Sequence, residues 1–189
     1  LQINMLNLKD KKIIVTGGAG LIGSFLVDRL VNEGAQVIVV DDFSKGKKLN
    51  LKNIINDIEI REGNLENFSF VKKAFLGSKI IFHLASRAYG IGYSQNNHLI
   101  SLIHNEKITN NLLEYFTEKP LERLLITSSS CVYSDDGPDI ITEDFVINGK
   151  PELANFGYGL SKIYLEENQC MDVNIILSLL IFPVMMKNL

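Results

Sequence analysis

Short apolar runs and amphipathic segments alternate along the chain from residue 12 onward. The runs are nearly continuous, as at residues 13–15 and 37–40, which is typical of strands buried on both faces. Between them, apolar residues recur at the spacing of a helix with one buried face, as over residues 21–31. The pattern predicts strands over residues 12–16, 36–41, 57–61, 79–84, 122–128 and 173–182, and helices over residues 21–33, 67–76, 98–117 and 158–171.

The alternation of strands and helices favours one fold class. It predicts an α/β fold, with a doubly wound parallel sheet of Rossmann type and helices on both faces. A chain of 189 residues is long enough for one such domain with a sizeable core, and it is too short for two full ones. We therefore expect residues 1–189 to form a single domain.

Composition and charge narrow the classes of partner. The net charge is −3 and both signs are mixed along the chain, so we expect small-molecule ligands and no nucleic acid. The longest apolar stretch, residues 175–186, is too short to span a bilayer, so we expect no membrane partner. Cys131 and Cys170 lie far apart without metal-ligand spacing, which predicts a reducing, cytoplasmic location and no metal site.

A glycine-rich turn follows the first predicted strand. It reads Gly-x-x-Gly-x-x-Gly through Gly17, Gly20 and Gly23, and the first predicted helix begins within it. Glycines at these positions permit a tight turn and a close approach of the backbone to a pyrophosphate, while free N–H groups of the first helical turn face the anion. The spacing differs from the usual Gly-x-Gly-x-x-Gly fingerprint, so a bare tight turn is the alternative.

Asp41 ends the second predicted strand, 24 residues after Gly17. A carboxylate at this place can accept both hydroxyls of the adenosine ribose, and it repels a 2′-phosphate. The sequence therefore predicts a dinucleotide site that prefers NAD to NADP. Two alternatives stay open, since Asp41 and Asp42 are also consistent with a plain polar strand end, and the lysines within residues 45–48 could tolerate a phosphate.

The candidate catalytic residues follow the fifth predicted strand in the sequence. Residues 128–131 read Ser-Ser-Ser-Cys at the carboxyl edge of the predicted sheet, where open parallel sheets bind ligands. Tyr158 and Lys162 follow on a predicted helix, four residues apart and therefore on one face. A nearby ammonium stabilises a phenolate and lowers the pKa of the tyrosine, which makes Tyr158 a usable general acid or base. The alternative for this spacing is a pair of surface residues.

With these motifs in place, the chain resembles the extended short-chain dehydrogenases, and among them the NAD-dependent epimerase and dehydratase family that acts on nucleotide sugars. The resemblance covers roughly residues 11–175. It rests on the glycine turn, Asp41, Gly63-Asn64-Leu65, His83-Leu84-Ala85, Asn105, Ser129 and Tyr158 with Lys162. It implies NAD as the cofactor and a nucleotide sugar as the substrate.

The resemblance also implies which residues bind the cofactor. Leu21 and Ile22 would lie along the pyrophosphate, Asp41 and Asp42 along the adenosine, and Asn64 with Leu65 against the adenine, while Gly17, Gly20, Gly23, Leu84, Ala85, Asn105, Tyr158 and Lys162 complete the set. Asn64 departs from the family, which usually has Asp at this position. An amide can still bond the adenine amino group.

The same resemblance implies the catalytic roles. Ser129 would hydrogen-bond the sugar oxygen that is oxidised, and Tyr158 would take its proton. Lys162 would hold the nicotinamide ribose and tune Tyr158, while Asn105 would brace the backbone of the active site.

Cys131 helps to choose among reactions. The dehydratases of the family carry Asp-Glu directly after the position of Ser129, whereas this chain has Ser130-Cys131, so dehydration is disfavoured. A cysteine here resembles the GDP-mannose 3,5-epimerases and GDP-fucose synthases, in which it donates or accepts a proton beside the sugar ring. The alternative is a small buried side chain at a strand end.

The end of the chain departs from the family. Members continue with a smaller part that clamps the substrate nucleotide, and their usual Arg and Asn-x-Tyr-Gly-Pro stretch has no counterpart in residues 177–186. This predicts a fragment or a degenerate product that holds NAD without turning over nucleotide sugars at a useful rate. An uncovered apolar tail would also invite self-association, so a homodimer stays open.

Three functions are therefore in view. The first is an NAD-dependent nucleotide-sugar epimerase, which oxidises the sugar transiently, inverts a centre and reduces the sugar again. The second is a dinucleotide-binding module without turnover. The third is an epimerase and reductase similar to the GDP-fucose synthases.

Overall fold

The computed structural model describes residues 8–136 and 150–167, and the backbone of residues 175–178. These residues divide into two compact units. The sheet unit contains residues 8–86, 111–126 and 175–176, and the helical unit contains residues 87–110, 127–136, 150–167 and 177–178. The expectation of a single domain stays a prediction.

Six strands form one sheet. They are β1 (Lys12–Thr16), β2 (Gln36–Asp41), β3 (Ile58–Glu62), β4 (Ile80–His83), β5 (Arg123–Thr127) and β6 (Ile175–Ser178). Their order across the sheet is β3-β2-β1-β4-β5-β6, and every pair from β3 to β5 is parallel. The chain winds outward from β1 in one direction and then, from β4, in the other. This reversal defines the doubly wound arrangement, so the predicted Rossmann-type fold is confirmed.

Five α-helices accompany the strands in the described residues. They are α1 (Leu21–Asn32), α2 (Phe68–Ala74), α3 (Ile91–Ser94), α4 (His98–Glu118) and α5 (Phe156–Glu167). The helix predicted from residue 158 begins two residues earlier, because Gly157 and Gly159 are poor helix formers and conceal its first turn from the sequence pattern. The predicted end of this helix at residue 171, and the last predicted strand beyond residue 178, lie outside the described residues.

Burial explains why the apolar runs form these strands. In β1 and β2 every residue after the first is buried, whereas no residue of the edge strand β3 is fully buried. The core of the sheet unit includes Ile13, Val15, Val27, Leu30, Val37, Val39, Leu51 and Phe82. Burying one such side chain stabilises the fold by about 1.5–3 kcal/mol, so these runs favour the interior of the sheet.

None of the helices in the described ranges is both long enough and apolar enough to cross a membrane.

Candidate active site

The glycine turn joins β1 to α1 in the sheet unit. Gly17 has a φ of +68°, a conformation that side-chain-bearing residues rarely adopt. Gly23 packs its Cα against the same turn, and a Cβ at this position would lie 2.1 Å from the carbonyl oxygen of Gly17. Only glycine therefore lets α1 begin this close to the end of β1.

The N-terminus of α1 has the features of an anion site. Gly20 caps the helix without a side chain, and its first turn contains no acidic residue. The N–H groups of Leu21, Ile22 and Gly23 have no carbonyl partner within the helix, and Leu21 is 76% exposed. Unpartnered N–H groups at the positive end of a helix dipole attract a phosphate. The sequence expectation of a pyrophosphate at this helix start stays a prediction, with which this geometry is compatible.

Asp41 links the end of β2 to the glycine turn. Its Oδ2 accepts a hydrogen bond from the N–H of Ala19 at 3.0 Å, and its Oδ1 accepts one from the N–H of Phe43 at 2.9 Å. The residue is only 8% exposed. Each carboxylate oxygen has capacity for a second bond, so Asp41 can hold the turn in place and still accept ribose hydroxyls. Beside it, Asp42 accepts a hydrogen bond from the N–H of Ser44 at 2.9 Å.

The basic loop after β2 is partly neutralised within the sheet unit. Lys48 lies 2.9 Å from a carboxylate oxygen of Glu62 and also packs over the ring of Phe43, with its Nζ 4.9 Å from the ring centroid. The loop therefore carries less uncompensated positive charge than its sequence indicates. This arrangement weakens the argument for NADP.

The end of β4 contacts the glycine turn through Thr16. The N–H of Leu84 donates to the carbonyl of Thr16 at 3.1 Å, and the N–H of Ala85 donates to its hydroxyl at 3.2 Å. The Thr16 hydroxyl also lies 2.7 Å from Nδ1 of His83. Because this hydroxyl accepts from Ala85, its proton is available to His83. Thr16 was missed at the sequence level, since a buried threonine in an apolar strand has no distinctive pattern.

Asn64 and Leu65 follow β3 in the same unit. The Asn64 side chain accepts from the N–H of Glu66 at 2.9 Å, which makes a local turn. Leu65 is buried, and its carbonyl accepts from Nδ2 of Asn111 at 2.8 Å. Hydrogen bonds at Asn64 and at Leu65 therefore fix the loop that the resemblance assigns to the adenine.

Ser129 and Cys131 lie in the helical unit, in the 3-10 turn after β5. Ser129 caps this turn, and its Oγ accepts from the N–H of Cys131 at 3.2 Å. The Cys131 thiol is half-buried, and the side chains of Ser129 and Glu152 are its polar neighbours. Burial, together with the Glu152 carboxylate, raises the pKa of Cys131 to about 11. The thiol is therefore protonated at neutral pH, a state that would suit donation of a proton and not the role of a thiolate base.

Tyr158 and Lys162 share one face of α5. Lys162 is 4% exposed, and its Nζ donates to the carbonyl of Thr127 at 2.8 Å. The same Nζ lies 5.6 Å from the centroid of the Tyr158 ring. Burial lowers the pKa of Lys162 from 10.5 to about 8, while Glu166 acts in the opposite direction. Lys162 is thus largely protonated at neutral pH, and Tyr158 is only half-buried.

α5 packs directly against the turn that carries Ser129. A Cβ on Gly159 would lie 2.4 Å from the carbonyl oxygen of Cys131, so the helix approaches the turn at a glycine. The N–H of Glu152 also donates to this carbonyl at 3.2 Å. These contacts and the Lys162–Thr127 bond join α5 to the turn after β5. The four predicted catalytic residues therefore lie in one unit, the helical unit, and they are Ser129, Cys131, Tyr158 and Lys162.

Asn105 braces the segment after β4 from within the helical unit. Its Oδ1 accepts from the N–H of Arg87 at 2.8 Å, and its Nδ2 donates to the carbonyls of Ser101 and Arg87 at 2.8 and 3.2 Å. The side chain is buried. This is the bracing geometry that the resemblance implies.

The structure adds three residues to the predicted set, Ser128, Glu152 and Glu166. The Ser128 hydroxyl donates to Oε1 of Glu166. Glu166 could have been found in the sequence, because it lies four residues after Lys162 on the same helix face. Glu152 had no such signal, since it lies in an irregular stretch 21 residues after Cys131. In the part of the chain that the structure describes, no group of His, Cys, Asp and Glu residues is placed to hold a metal ion.

Comparison with known families identifies the class of protein. The profile of the NAD dependent epimerase/dehydratase family matches residues 13–170, which include the glycine turn, Asp41, Ser129, Tyr158 and Lys162. The chain therefore belongs to the NAD dependent epimerase/dehydratase family, and the resemblance indicated by its motifs is confirmed.

Individual relatives give a finer comparison. The chain is 35% identical over 144 residues to UDP-glucuronic acid decarboxylase 1 of Danio rerio, covering 76% of this chain and 33% of the relative. It is 30% identical over 168 residues to a bifunctional UDP-glucose 4-epimerase and UDP-xylose 4-epimerase of Pisum sativum. This match covers 84% of this chain and 46% of the relative. The solved structure of an epimerase from Methanothermobacter thermautotrophicus matches with a TM-score of 0.77 and 27% identity. This match covers 91% of this chain and 52% of the epimerase chain. The chain thus spans between a third and about half of these relatives' length.

Proposed function

We propose that this chain is the NAD-binding and proton-transfer part of a UDP-sugar epimerase. Membership of the NAD dependent epimerase/dehydratase family supports the reaction type. The relatives described above are named for UDP-sugars, which favours a UDP-sugar over a GDP-sugar. The observation that carries the proposal is the buried Lys162 ammonium beside the Tyr158 ring.

The sheet unit fits the cofactor. The unpartnered N–H groups at the start of α1 suit a pyrophosphate, and the remaining acceptor capacity of Asp41 suits the adenosine ribose. When bound, NAD supplies the hydride acceptor for oxidation of a sugar hydroxyl and the hydride donor for its re-reduction.

The helical unit supplies the proton transfers. Tyr158, with the Lys162 ammonium beside its ring, takes the proton of the sugar hydroxyl while Ser129 hydrogen-bonds the same oxygen. Tyr158 returns the proton when the ketone is reduced. Cys131 holds its proton at neutral pH, so in an inversion next to the ketone it would donate a proton rather than remove one.

Decarboxylation of a UDP-uronic acid is a second candidate. The 35% identity to a protein named UDP-glucuronic acid decarboxylase 1 favours it. Both reactions begin with the same oxidation, because a ketone two carbons from a carboxylate forms a β-keto acid that loses carbon dioxide. Tyr158, Ser129 and Lys162 would therefore have the same roles in either reaction.

The test is a product assay with matched tyrosine variants. The purified chain is incubated with NAD and UDP-glucose, UDP-galactose or UDP-glucuronic acid, and the sugars are then separated by chromatography. Because the usual Arg and Asn-x-Tyr-Gly-Pro stretch of the family has no counterpart in residues 177–186, we expect only slow interconversion of the first two sugars, detected in prolonged incubations. Tyr158→Phe should reduce the rate by about 10²–10⁴-fold, the usual contribution of a general acid or base. The control is Tyr164→Phe, which removes an exposed hydroxyl of α5 that donates to Asn110 on α4. This variant should leave the rate unchanged.

Other outcomes separate the alternatives. Carbon dioxide release from UDP-glucuronic acid, without interconversion of the other two sugars, would replace the epimerase with the decarboxylase. Binding of NAD without conversion of any sugar would leave a dinucleotide-binding module. Equal losses in the Tyr158 and Tyr164 variants would refute the proton-transfer role of Tyr158.

A further inference from the structure

Glu166 is a half-buried carboxylate that the proposed reaction does not use. It lies on α5, four residues after Lys162 and eight residues after Tyr158, so the three side chains belong to one helix face. Its Oε1 accepts a hydrogen bond from the hydroxyl of Ser128, directly after β5. The carboxylate is therefore held in place from a second segment of the helical unit.

Lys162 is a buried cation that needs compensation. An ammonium removed from water is costly unless it is paired or hydrogen-bonded. Its Nζ has three donors, and one of them bonds the Thr127 carbonyl. Within the described residues, Glu166 is the charge that favours the protonated form of Lys162, against the effect of burial.

The surroundings of Glu166 are similarly defined. Burial raises the pKa of Glu166, while the Ser128 hydroxyl and the Lys162 ammonium lower it and the neighbouring Glu167 raises it. From the end of β5 and the residue after it, the Thr127 carbonyl bonds Lys162 and the Ser128 hydroxyl bonds Glu166, and both groups are uncharged. Glu166 is thus the charge that opposes the effect of burial on Lys162, and Lys162 acts in the same sense on Glu166.

We propose that Glu166 is a positioning residue whose carboxylate, held by Ser128 on the helix face of Lys162, compensates the buried Lys162 charge beside Thr127 and Tyr158. The part of this inference that concerns Tyr158 rests on the proposed function. The part that concerns the charge of Lys162 stands without it. Glu166 acts through Lys162 and has no contact with substrate in this role.

The consequence is a change in pH dependence. Removing the Glu166 charge leaves burial unopposed, so the pKa of Lys162 falls below its present value of about 8. An opposite charge within about 4–6 Å typically accounts for roughly one to three pKa units, and we expect the lower end of this range because Lys162 and Glu166 share a helix face without a direct ion pair. Lys162 would then lose its proton near neutral pH. The alkaline limb of the rate profile should move to lower pH by a similar amount.

The experiment compares Glu166→Gln with Glu167→Gln, which makes the same chemical change at the next, exposed residue. Side-chain NMR of the isotopically labelled lysines follows the titration of Lys162, whose signal is assigned by its loss in Lys162→Met. We expect Glu166→Gln to lower the titration midpoint by about one unit or more, and Glu167→Gln to leave it within a few tenths. Glu166→Asp keeps the charge, so its titration midpoint should lie between that of Glu166→Gln and that of the parent chain.

Circular dichroism shows whether each variant is folded at the pH of measurement. If Glu166→Gln does not fold, Ser128→Ala replaces it, because it frees the carboxylate without removing it and should give a smaller shift in the same direction. An unchanged midpoint in a folded variant, or equal shifts in both glutamine variants, would overturn the proposal. A shifted midpoint in a chain that converts no UDP-sugar would refute the proposed function and leave the coupling of Glu166 to Lys162 intact.

Discussion

At the residue scale, Cys131 shows how the surroundings decide the chemistry of a side chain. Its place two residues after Ser129 is compatible with either a proton-transfer role or a buried strand end. The structure leaves the thiol half-buried with Ser129 and Glu152 as its polar neighbours. A carboxylate next to a thiol opposes the loss of the thiol proton. Cys131 is therefore suited to donate a proton and unsuited to act as a reactive thiolate.

This predicts a slow, strongly pH-dependent reaction of Cys131 with iodoacetamide. In a Cys170→Ser background the rate should rise roughly tenfold per pH unit up to about pH 10, because only the thiolate reacts and the pKa of Cys131 is about 11. Mass spectrometry of quenched samples measures the rate. Glu152→Gln should increase the rate at a given pH, whereas Glu114→Gln, an exposed change on α4, should not. A rate that levels off near pH 8 would contradict the assignment.

At the scale of elements, the start of α1 joins fold and function. The helix begins at a glycine without a capping side chain, which leaves N–H groups for a ligand at some cost in stability. The close contact between Gly23 and the glycine turn fixes the direction of α1 relative to β1. The same close packing that orients the helix therefore also shapes the anion site.

Gly23→Ala tests this packing. The added Cβ would meet the Gly17 carbonyl oxygen at 2.1 Å, and a backbone atom cannot move aside as a flexible side chain can. Overpacking of this kind costs about 1–3 kcal/mol, which exceeds the gain of up to about 1 kcal/mol in helix propensity. We expect a lower free energy of unfolding in urea, and a loss of NAD binding.

The matched control for this change is Gly92→Ala on α3. An added Cβ at Gly92 meets no atom within 4 Å, so stability should be unchanged or slightly increased. If both alanine variants unfold at the same urea concentration as the parent chain, the close contact at Gly23 is not what holds α1.

At the scale of the whole molecule, dinucleotide binding should appear as added stability, because a ligand that binds only the folded state shifts the unfolding equilibrium. We expect NAD to raise the melting temperature more than NADP at equal concentration. The Asp41 carboxylate would repel the 2′-phosphate, and Lys48 is already paired with Glu62. Thermal unfolding with each dinucleotide measures the difference.

Asp41→Asn should reduce the shift caused by NAD, measured from the melting temperature of the variant itself. This reference matters because the substitution also disturbs the bonds to Ala19 and Phe43. Asp57→Asn, at the exposed amino end of β3, serves as the control and should keep the full shift. An equal or larger shift with NADP would show that the lysines of residues 45–48 dominate the preference.

Much of the fold was predictable because its signals are local. Strand positions follow from short apolar runs, helices from a repeat of three to four residues, and the glycine turn from spacing within eight residues. The short helix α3 and the first turn of α5 were missed, since four residues carry no periodicity and glycines mask a helix start. The strand order needed the structure, because the alternation of strands and helices does not say which strands are neighbours in the sheet.

The sequence by itself determined the fold class, the family, and the identities of Asp41, Ser129, Tyr158 and Lys162 as candidate site residues. Only the tertiary structure decided the partners of these side chains and the ionisation of Lys162 and Cys131. Lys162 is buried, Cys131 meets Glu152, and Glu166 meets Ser128 from 38 residues away. The reason is physical, because charge and proton affinity depend on burial and on neighbours in space, and neither property is encoded in the spacing of residues along a helix or strand.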